Sequence, residues 1–199
     1  MRTNPANDIN EPKDAKMKEM ILYVAKASED DENFGAVKLN KILFYADFLA
    51  YLKRGQSVTG QDYFAIPEGP APRRLVPIRE QMESSGEIAV KTVKRFGFDQ
   101  KRIEAKREAI LENFNQQEIE DIDAVLAILK NKTGKEVTNM SHDFDGWEIA
   151  FSQGSTTSIP YSLVRFDFEG FLGIDSPSVP DSLIEYGREL SKRVAPVAA

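Results

Sequence analysis

The stretch KLNKILFYADFLAYLKRG, residues 38–55, decides how this chain folds. Read as a helix, it is apolar almost all the way round, whereas a surface helix has one apolar stripe and one polar face. Lys53 and Arg54 lie in its last turn and Gly55 follows, which is how helices commonly end. The sequence therefore predicts a central helix over residues 38–54. Its second apolar face must be covered by the chain's own core, by a partner protein or by a ligand, of which a ligand is the weakest alternative.

The composition is that of a globular protein of one domain. The chain has 199 residues, of which 41% are hydrophobic and 29% charged, so it can bury a sizeable core without covalent cross-links. It has no cysteine, which excludes disulfides and cysteine-ligated metals. No apolar run reaches the roughly 20 residues that span a bilayer, and the chain starts without a secretory signal. We therefore expect a cytoplasmic protein without membrane contact, and the net charge of −6 argues against general nucleic-acid binding.

Further helices are predicted on both sides of the central one from the spacing of apolar residues. They are expected over 13–30, over 73–86 with a start or kink at Pro77, over 115–134, as two short helices over 135–151 broken at Gly146 or before, and over 181–194.

The β-structure predicted from the sequence is small. The apolar run Tyr63–Ile66 is typical of a strand, and the prolines and glycine that follow in EGPAP, residues 68–72, predict a rigid irregular loop. Residues 87–107 alternate imperfectly and predict a β-hairpin that turns near Gly97. The fold class is therefore mainly α (α+β), a compact helical domain around a central buried helix with a small antiparallel β-hairpin or sheet. We expect a flexible N-terminus at 1–12, a domain at 13–150, and an extension at 151–199 that packs on the same domain and ends in a frayed tail.

One segment carries candidate catalytic residues, SHDFDGW at 141–147. His142, Asp143 and Asp145 could hold a divalent metal ion or form a general base with an acidic partner. The structural interpretation is stronger: the acids cap a short helix, and Trp147 anchors that helix in the core. Glycine-rich phosphate-binding motifs and histidine-pair motifs are absent from the sequence. We therefore expect a protein that is not an enzyme and that needs neither cofactor nor metal.

The predicted hairpin is basic, although the protein as a whole is acidic. Its candidate binding residues are Lys91, Lys94, Arg95, Lys101 and Arg102. Such a ribbon can attract an acidic partner or contact phosphate, or it can be a solvated hairpin whose charges prevent edge pairing. The sequence favours neither interpretation over the other.

Four segments, taken together and in order, resemble the motifs of one protein family. They are KLNKILFYADF at 38–48, GQSVTGQDYFA at 55–65, EGPAPRRL at 68–75 and TGKEVTNMSHDFDGWEIA at 133–150. The family is that of the Panacea domain, the SocA-like antitoxins of bacterial and phage toxin–antitoxin operons, and the resemblance covers residues 15–150. Glu68 departs from the usual aromatic residue, Ala71 from the usual valine, and Ser141 from the threonine that usually precedes the histidine.

The resemblance implies that the fixed residues of the family are structural, because they contain no recognised pair of nucleophile and base. In this sequence they are Lys38, Leu39, Lys41, Tyr45, Ala46, Gly69, Pro70, His142 and Trp147.

The resemblance also implies an antitoxin that binds and neutralises a cognate toxin. Alternatives are an adaptor that delivers the toxin to a AAA+ protease and, less favoured, a metal-dependent hydrolase; a DNA contact is a secondary option. Family members pair with unrelated toxins, so the sequence does not identify the toxin. Phe48, Tyr51 and Leu52 are either covered by this chain or left as an apolar patch for the toxin. The acidic run 29–32 suits a positively charged toxin and the basic hairpin does not, so the docking face stays open.

Overall fold

The computed structural model describes residues 11–95 and 97–166. The helices in this part of the chain are α1 (Glu11–Ala27), α2 (Ala36–Arg54), α3 (Leu75–Ser84), α4 (Gln116–Leu129), α5 (Gly134–His142) and α6 (Asp145–Ser152). The strands are β1 (Tyr63–Ile66), β2 (Gly69–Pro72), β3 (Ile88–Arg95), β4 (Phe98–Ala105) and β5 (Ser158–Ile159), and short 3-10 helices lie at Leu111–Asn113 and Tyr161–Phe166. The protein is mainly α with small antiparallel sheets, which confirms the predicted fold class.

The central helix is α2, as the sequence predicts. Nearly every residue from Lys38 to Ala50 is buried. Its neighbours are α1, α4, α5, β2, β4 and the 3-10 helix at Tyr161–Phe166, so the chain's own core covers both apolar faces. The sequence pattern did not predict that α4 contributes to this cover. The helix ends at Gly55, whose φ of 72° is the left-handed conformation that glycine adopts without strain.

A three-stranded antiparallel sheet has the strand order β2–β1–β5. Phe64 pairs with Ala71 and Ala65 pairs with Pro70, so the segment predicted as an irregular loop is a strand and that prediction is wrong. The reason lies in the position of β2 at the edge of the sheet. An edge strand can accommodate prolines, because one side of it needs no backbone N–H donors.

The predicted hairpin is confirmed as β3 and β4. The two strands pair in register from Ile88 and Ala105 to Arg95 and Phe98, and Gly97 turns the chain with a φ of +85°. Ile88 and Ile103 are buried at the base of the hairpin, near α1 and α3. The base therefore belongs to the core, and the tip projects beside the amino end of α2.

The remaining helices also follow the sequence. Pro77 lies in the first turn of α3, where its missing N–H costs nothing. Capping boxes begin α4 at Asn115 and α5 at Thr133. The predicted break between α5 and α6 comes before Gly146, and Phe144 rather than an acid holds the N-cap position of α6.

In the described ranges, 11–95 and 97–166, no helix combines the length and the apolar character that a membrane crossing requires. The predicted helix over 181–194, most of the N-terminal segment predicted to be flexible and the tail predicted to be frayed lie outside those ranges.

Candidate functional site

Several of the family's fixed residues, which we call the signature residues, meet around the turn between β1 and β2. Lys41 is fully buried, and its ammonium donates hydrogen bonds to the carbonyl oxygens of Glu68 and, at 3.4 Å, of Pro70. Gly69 has a φ of +99°, and a Cβ at this position would collide with Lys41 Nζ and Ser141 Oγ. Only glycine fits this position, because it permits both the backbone conformation and the close approach.

Burial shapes the electrostatics of this turn. Removal from water lowers the pKa of Lys41 to about 7, and the nearby charge of Glu68 opposes this shift only in part. The two carbonyl oxygens replace part of the water that an ammonium group would bind. Lys41 therefore holds the turn to α2, and no solvent path to a substrate is open at its amine.

His142 and Trp147 brace the same turn from α5 and α6. Their rings stack with centroids 4.1 Å apart, Trp147 Nε1 donates to the carbonyl oxygen of Ile66 at 3.0 Å, and the His142 ring hydrogen-bonds to the backbone of Pro67. Burial, and next the charge of Lys41, lower the pKa of His142. The ring is therefore neutral at pH 7 and wedged between α6 and the turn. Trp147 anchors α6, as the sequence predicts.

The acids that follow His142 lie at the surface. Asp143 and Asp145 are exposed at the break between α5 and α6. Within residues 11–95 and 97–166, no three His, Cys, Asp or Glu side chains lie close enough together to hold a metal ion.

The other signature residues belong to the interior of α2. Leu39, Tyr45 and Ala46 are core residues. Lys38 is buried and forms an ion pair with Asp31, and its ammonium also donates to the carbonyl oxygen of Lys132 at 2.9 Å. This side chain therefore fastens the loop before α2 to the loop between α4 and α5.

A buried carboxylate, which the sequence analysis did not single out, lies on the same helix. Asp47 is fully buried and accepts hydrogen bonds from Thr59 N at 2.6 Å, Thr59 Oγ1 at 2.5 Å and Tyr63 Oη at 2.8 Å. Burial raises its pKa to about 6, although these hydrogen bonds favour the charged form. The contacts join α2 to the segment that leads into β1, so this acid is structural.

The candidate apolar patch on α2 is not a continuous surface. Phe48 is fully buried, and Tyr51 and Leu52 are half-buried against the core. The ring of Tyr161 lies 4.6 Å from that of Phe48 and 5.4 Å from that of Tyr51. The interpretation of Phe48 as a docking residue is wrong in this structure, because the chain itself covers the ring.

Several hairpin cations are bound within the chain. Arg102 donates to the carbonyl oxygens of Ser28, Glu29 and Asp31, and so holds the loop after α1. Two others form side-chain ion pairs, Lys91 with Glu104 at 2.8 Å and Arg95 with Glu32 at 2.5 Å. Lys94 and Lys101 are exposed and form no ion pair with any residue in the described ranges. The free charge of the hairpin is therefore concentrated near its tip.

A groove of about 760 Å³ lies between the hairpin tip and the amino ends of α2 and α5. We call it the basic groove. Its lining comes from residues 33, 35–38, 95, 98–101, 133–135 and 138 and includes Val37, Phe98, Lys101 and Lys135. Sequence reasoning indicated part of one wall, the basic hairpin, and gave no sign of the other two.

The comparisons with known proteins agree with the resemblance in the sequence. The model of the family described as antitoxin SocA-like, Panacea domain, matches residues 39–148. The chain belongs to this SocA-like antitoxin family. A search of curated proteins gave no significant match, and a search of solved structures gave none.

Proposed function

We propose that this protein is an antitoxin that binds its cognate toxin directly and occludes the surface with which the toxin acts. The observation that carries the proposal is membership of the SocA-like antitoxin family over residues 39–148. We further propose that the pair acts in the cytoplasm of a prokaryote, encoded by the host or by a phage.

The placement of the signature residues supports binding rather than chemistry. The polar side-chain groups of Lys41, His142 and Trp147 are hydrogen-bonded to the turn between β1 and β2, and Gly69 lies in that turn. A partner must therefore be contacted by other, exposed residues. This arrangement suits a family whose members pair with unrelated toxins, because the scaffold and the contact surface are different sets of residues.

The proposal is tested with the protein encoded by the adjacent reading frame. Expressed alone, that protein is expected to arrest growth, and co-expression of this chain is expected to restore it. An inactive form of the toxin should then copurify with this chain in a stable complex. Growth arrest that persists despite full expression of both folded proteins would overturn the proposal.

The same assay separates direct neutralisation from delivery to a protease. Rescue by occlusion persists in strains that lack individual AAA+ proteases, and the toxin level stays constant. Rescue that disappears with one protease, together with slower loss of the toxin, would instead establish an adaptor.

A catalytic role of the His142 segment is tested by Asp143→Asn and Asp145→Asn. Both side chains are exposed, so the substitutions should leave folding unchanged. Full rescue by both variants would exclude catalysis by that cluster, whereas loss of rescue with unchanged toxin binding would favour the hydrolase.

A further inference from the structure

The basic groove has a rigid frame, because hydrogen bonds join its three walls. Asn33 Nδ2 donates to the carbonyl oxygen of Asn131 at 2.7 Å, and Arg95 Nε donates to Asn33 Oδ1 at 3.3 Å. Lys38 adds the buried ion pair with Asp31 and the bond to Lys132. These contacts fix the hairpin tip and the loop before α5 to the start of α2. The groove is thus largely formed before anything binds.

The amino end of α2 faces this groove without a capping side chain. Its N-cap residue is Gly35, and its first turn contains no acid. A Cβ on Gly35 would lie 2.8 Å from Gln100 Cγ and 3.1 Å from the carbonyl oxygen of Lys101, so the glycine lets the hairpin approach. The first N–H groups of a helix lack intrahelical acceptors and carry partial positive charge. The end of α2 therefore favours a negatively charged neighbour.

Apolar side chains are exposed in the groove. The side chain of Phe98 is 78% exposed at the hairpin tip, and that of Val37 is 48% exposed in the first turn of α2. Large exposed apolar side chains grouped in a concave surface are typical of protein-binding sites, and aromatic residues often dominate the binding energy there. The groove thus offers a contact for an apolar side chain.

The charged side chains that remain free in the groove are mainly basic. Lys101 and Lys135 are exposed and form no ion pair with residues in the described ranges. Asp99 is the acid among the lining residues. The acids of the loop before α2 do not line the groove, and two of them are paired, Asp31 with Lys38 and Glu32 with Arg95. The groove is therefore a basic, partly apolar surface on a protein whose net charge is −6.

We propose that the basic groove is the docking site for a short segment of the toxin that carries acidic side chains next to apolar ones. This proposal rests on the antitoxin function proposed above. The apolar side chains of the segment contact Phe98 and Val37, and its carboxylates lie near Lys101, Lys135 and the amino end of α2. A groove of about 760 Å³ is of the size that accommodates one short segment.

The test measures binding of the inactive adjacent-frame toxin to the full-length protein by biolayer interferometry. The groove variants are Lys101→Glu, Lys135→Glu, Val37→Asp and Phe98→Ala. Lys130→Glu and Val76→Asp are matched controls, because both residues are exposed and neither lines the groove. Each groove variant should weaken binding about tenfold or more, and each control less than about twofold.

Two further measurements test the chemistry of the segment. The loss caused by Lys101→Glu and Lys135→Glu should shrink when NaCl is raised from about 50 to about 300 mM, because salt screens exposed charges. On an array of overlapping toxin peptides about 15 residues long, the bound peptides should have net negative charge and contain Leu, Ile, Phe or Val. Bound peptides with net positive charge would overturn the proposal.

The outcomes distinguish this proposal from the antitoxin function. If the wild-type protein binds the toxin and all groove variants bind equally well, the groove proposal is wrong and the antitoxin function stands. If the wild-type protein neither binds nor rescues, both proposals fail. A dimer of this chain that dissociates on Val37→Asp would assign the groove to a second copy and would also overturn the proposal. Circular dichroism of every variant, with a melting temperature near that of the wild type, confirms that the comparison concerns folded protein.

Discussion

Replacement of the buried lysine by methionine should change how the stability of the protein depends on pH. Lys41 is fully buried, and its pKa falls from 10.5 to about 7 because burial removes the ammonium from water. Lys41→Met keeps most of the length of the side chain and removes the titratable group. It also loses the hydrogen bonds to the turn between β1 and β2, which lowers the stability by an amount that does not depend on pH.

The sign follows from proton binding. Between pH 7 and 10.5 the unfolded chain holds a proton on Lys41 that the native protein has released, so the free energy of unfolding rises with pH. The contribution is fully present above the unfolded pKa and is lost as the pH falls through about 7. A pKa difference of about 3.5 units corresponds to about 5 kcal/mol over the whole window, at about 1.4 kcal/mol per pH unit. His142 is neutral in this range, so the groups nearest to Lys41 add little slope of their own.

The assay is urea denaturation at intervals between about pH 6.5 and 9.5. The difference in the free energy of unfolding between the wild type and Lys41→Met should grow by about 2–3 kcal/mol across this range, in favour of the wild type. Lys135→Met is the control, because it removes a lysine from an exposed position, and its difference from the wild type should stay constant. Parallel profiles for the wild type and Lys41→Met would refute the argument.

Three further substitutions test other parts of the scaffold. Gly69→Ala should lower the free energy of unfolding, measured by urea denaturation, by about 3 kcal/mol or more, because the added Cβ collides with buried groups. Gly86→Ala, which has a similar positive φ but open space, should cost about 1 kcal/mol, and equal losses would contradict the collision at Gly69. The free energy of unfolding of Asp47→Asn, relative to that of the wild type, should rise by about 2–3 kcal/mol between pH 4 and 7. The pKa of Asp47 is raised to about 6 in the native protein, so the wild type loses stability as this carboxyl group ionises; a difference that does not change with pH would refute the argument. Arg107→Met removes the ion pairs to Glu19 in α1 and to Glu87 before β3, and should lower the stability measured by thermal denaturation by about 1–2 kcal/mol. Lys91→Met, which removes an exposed pair, should cost less than about 0.5 kcal/mol, and similar losses for the two variants would show that the Arg107 pairs add nothing.

Local sequence patterns were sufficient to predict the hairpin and the α-helices of the described ranges. The all-round apolar pattern of residues 38–54 correctly indicated a buried central helix, and Gly97 correctly marked a turn. The strand Gly69–Pro72 was missed because its prolines argue against a strand locally. Its pairing with β1 and its position at the edge of the sheet belong to the tertiary structure, and no local sequence pattern contains them.

The candidate site was predicted only in part, for a similar reason. Arg102 looked like a free cation in the sequence, but the loop after α1 supplies three carbonyl oxygens that bind it. The sequence left open whether Phe48 is covered by this chain, and the residue that packs on it, Tyr161, is remote in sequence. The basic groove combines segments that begin at residues 33, 95 and 133, and only the folded chain brings them together.

Most of the signature residues lie in the interior, whereas the candidate contact residues of the groove are exposed. This separation has a consequence for how such a gene evolves. Five residues of the groove lining, Val37, Phe98, Asp99, Lys101 and Lys135, are exposed, so substitutions there should change the free energy of folding little. The interior that carries Lys41, Gly69 and Trp147 tolerates far less change. If the groove docks the toxin as proposed, a lineage can exchange one toxin for another through substitutions in a few surface codons, while selection on folding keeps the family recognisable.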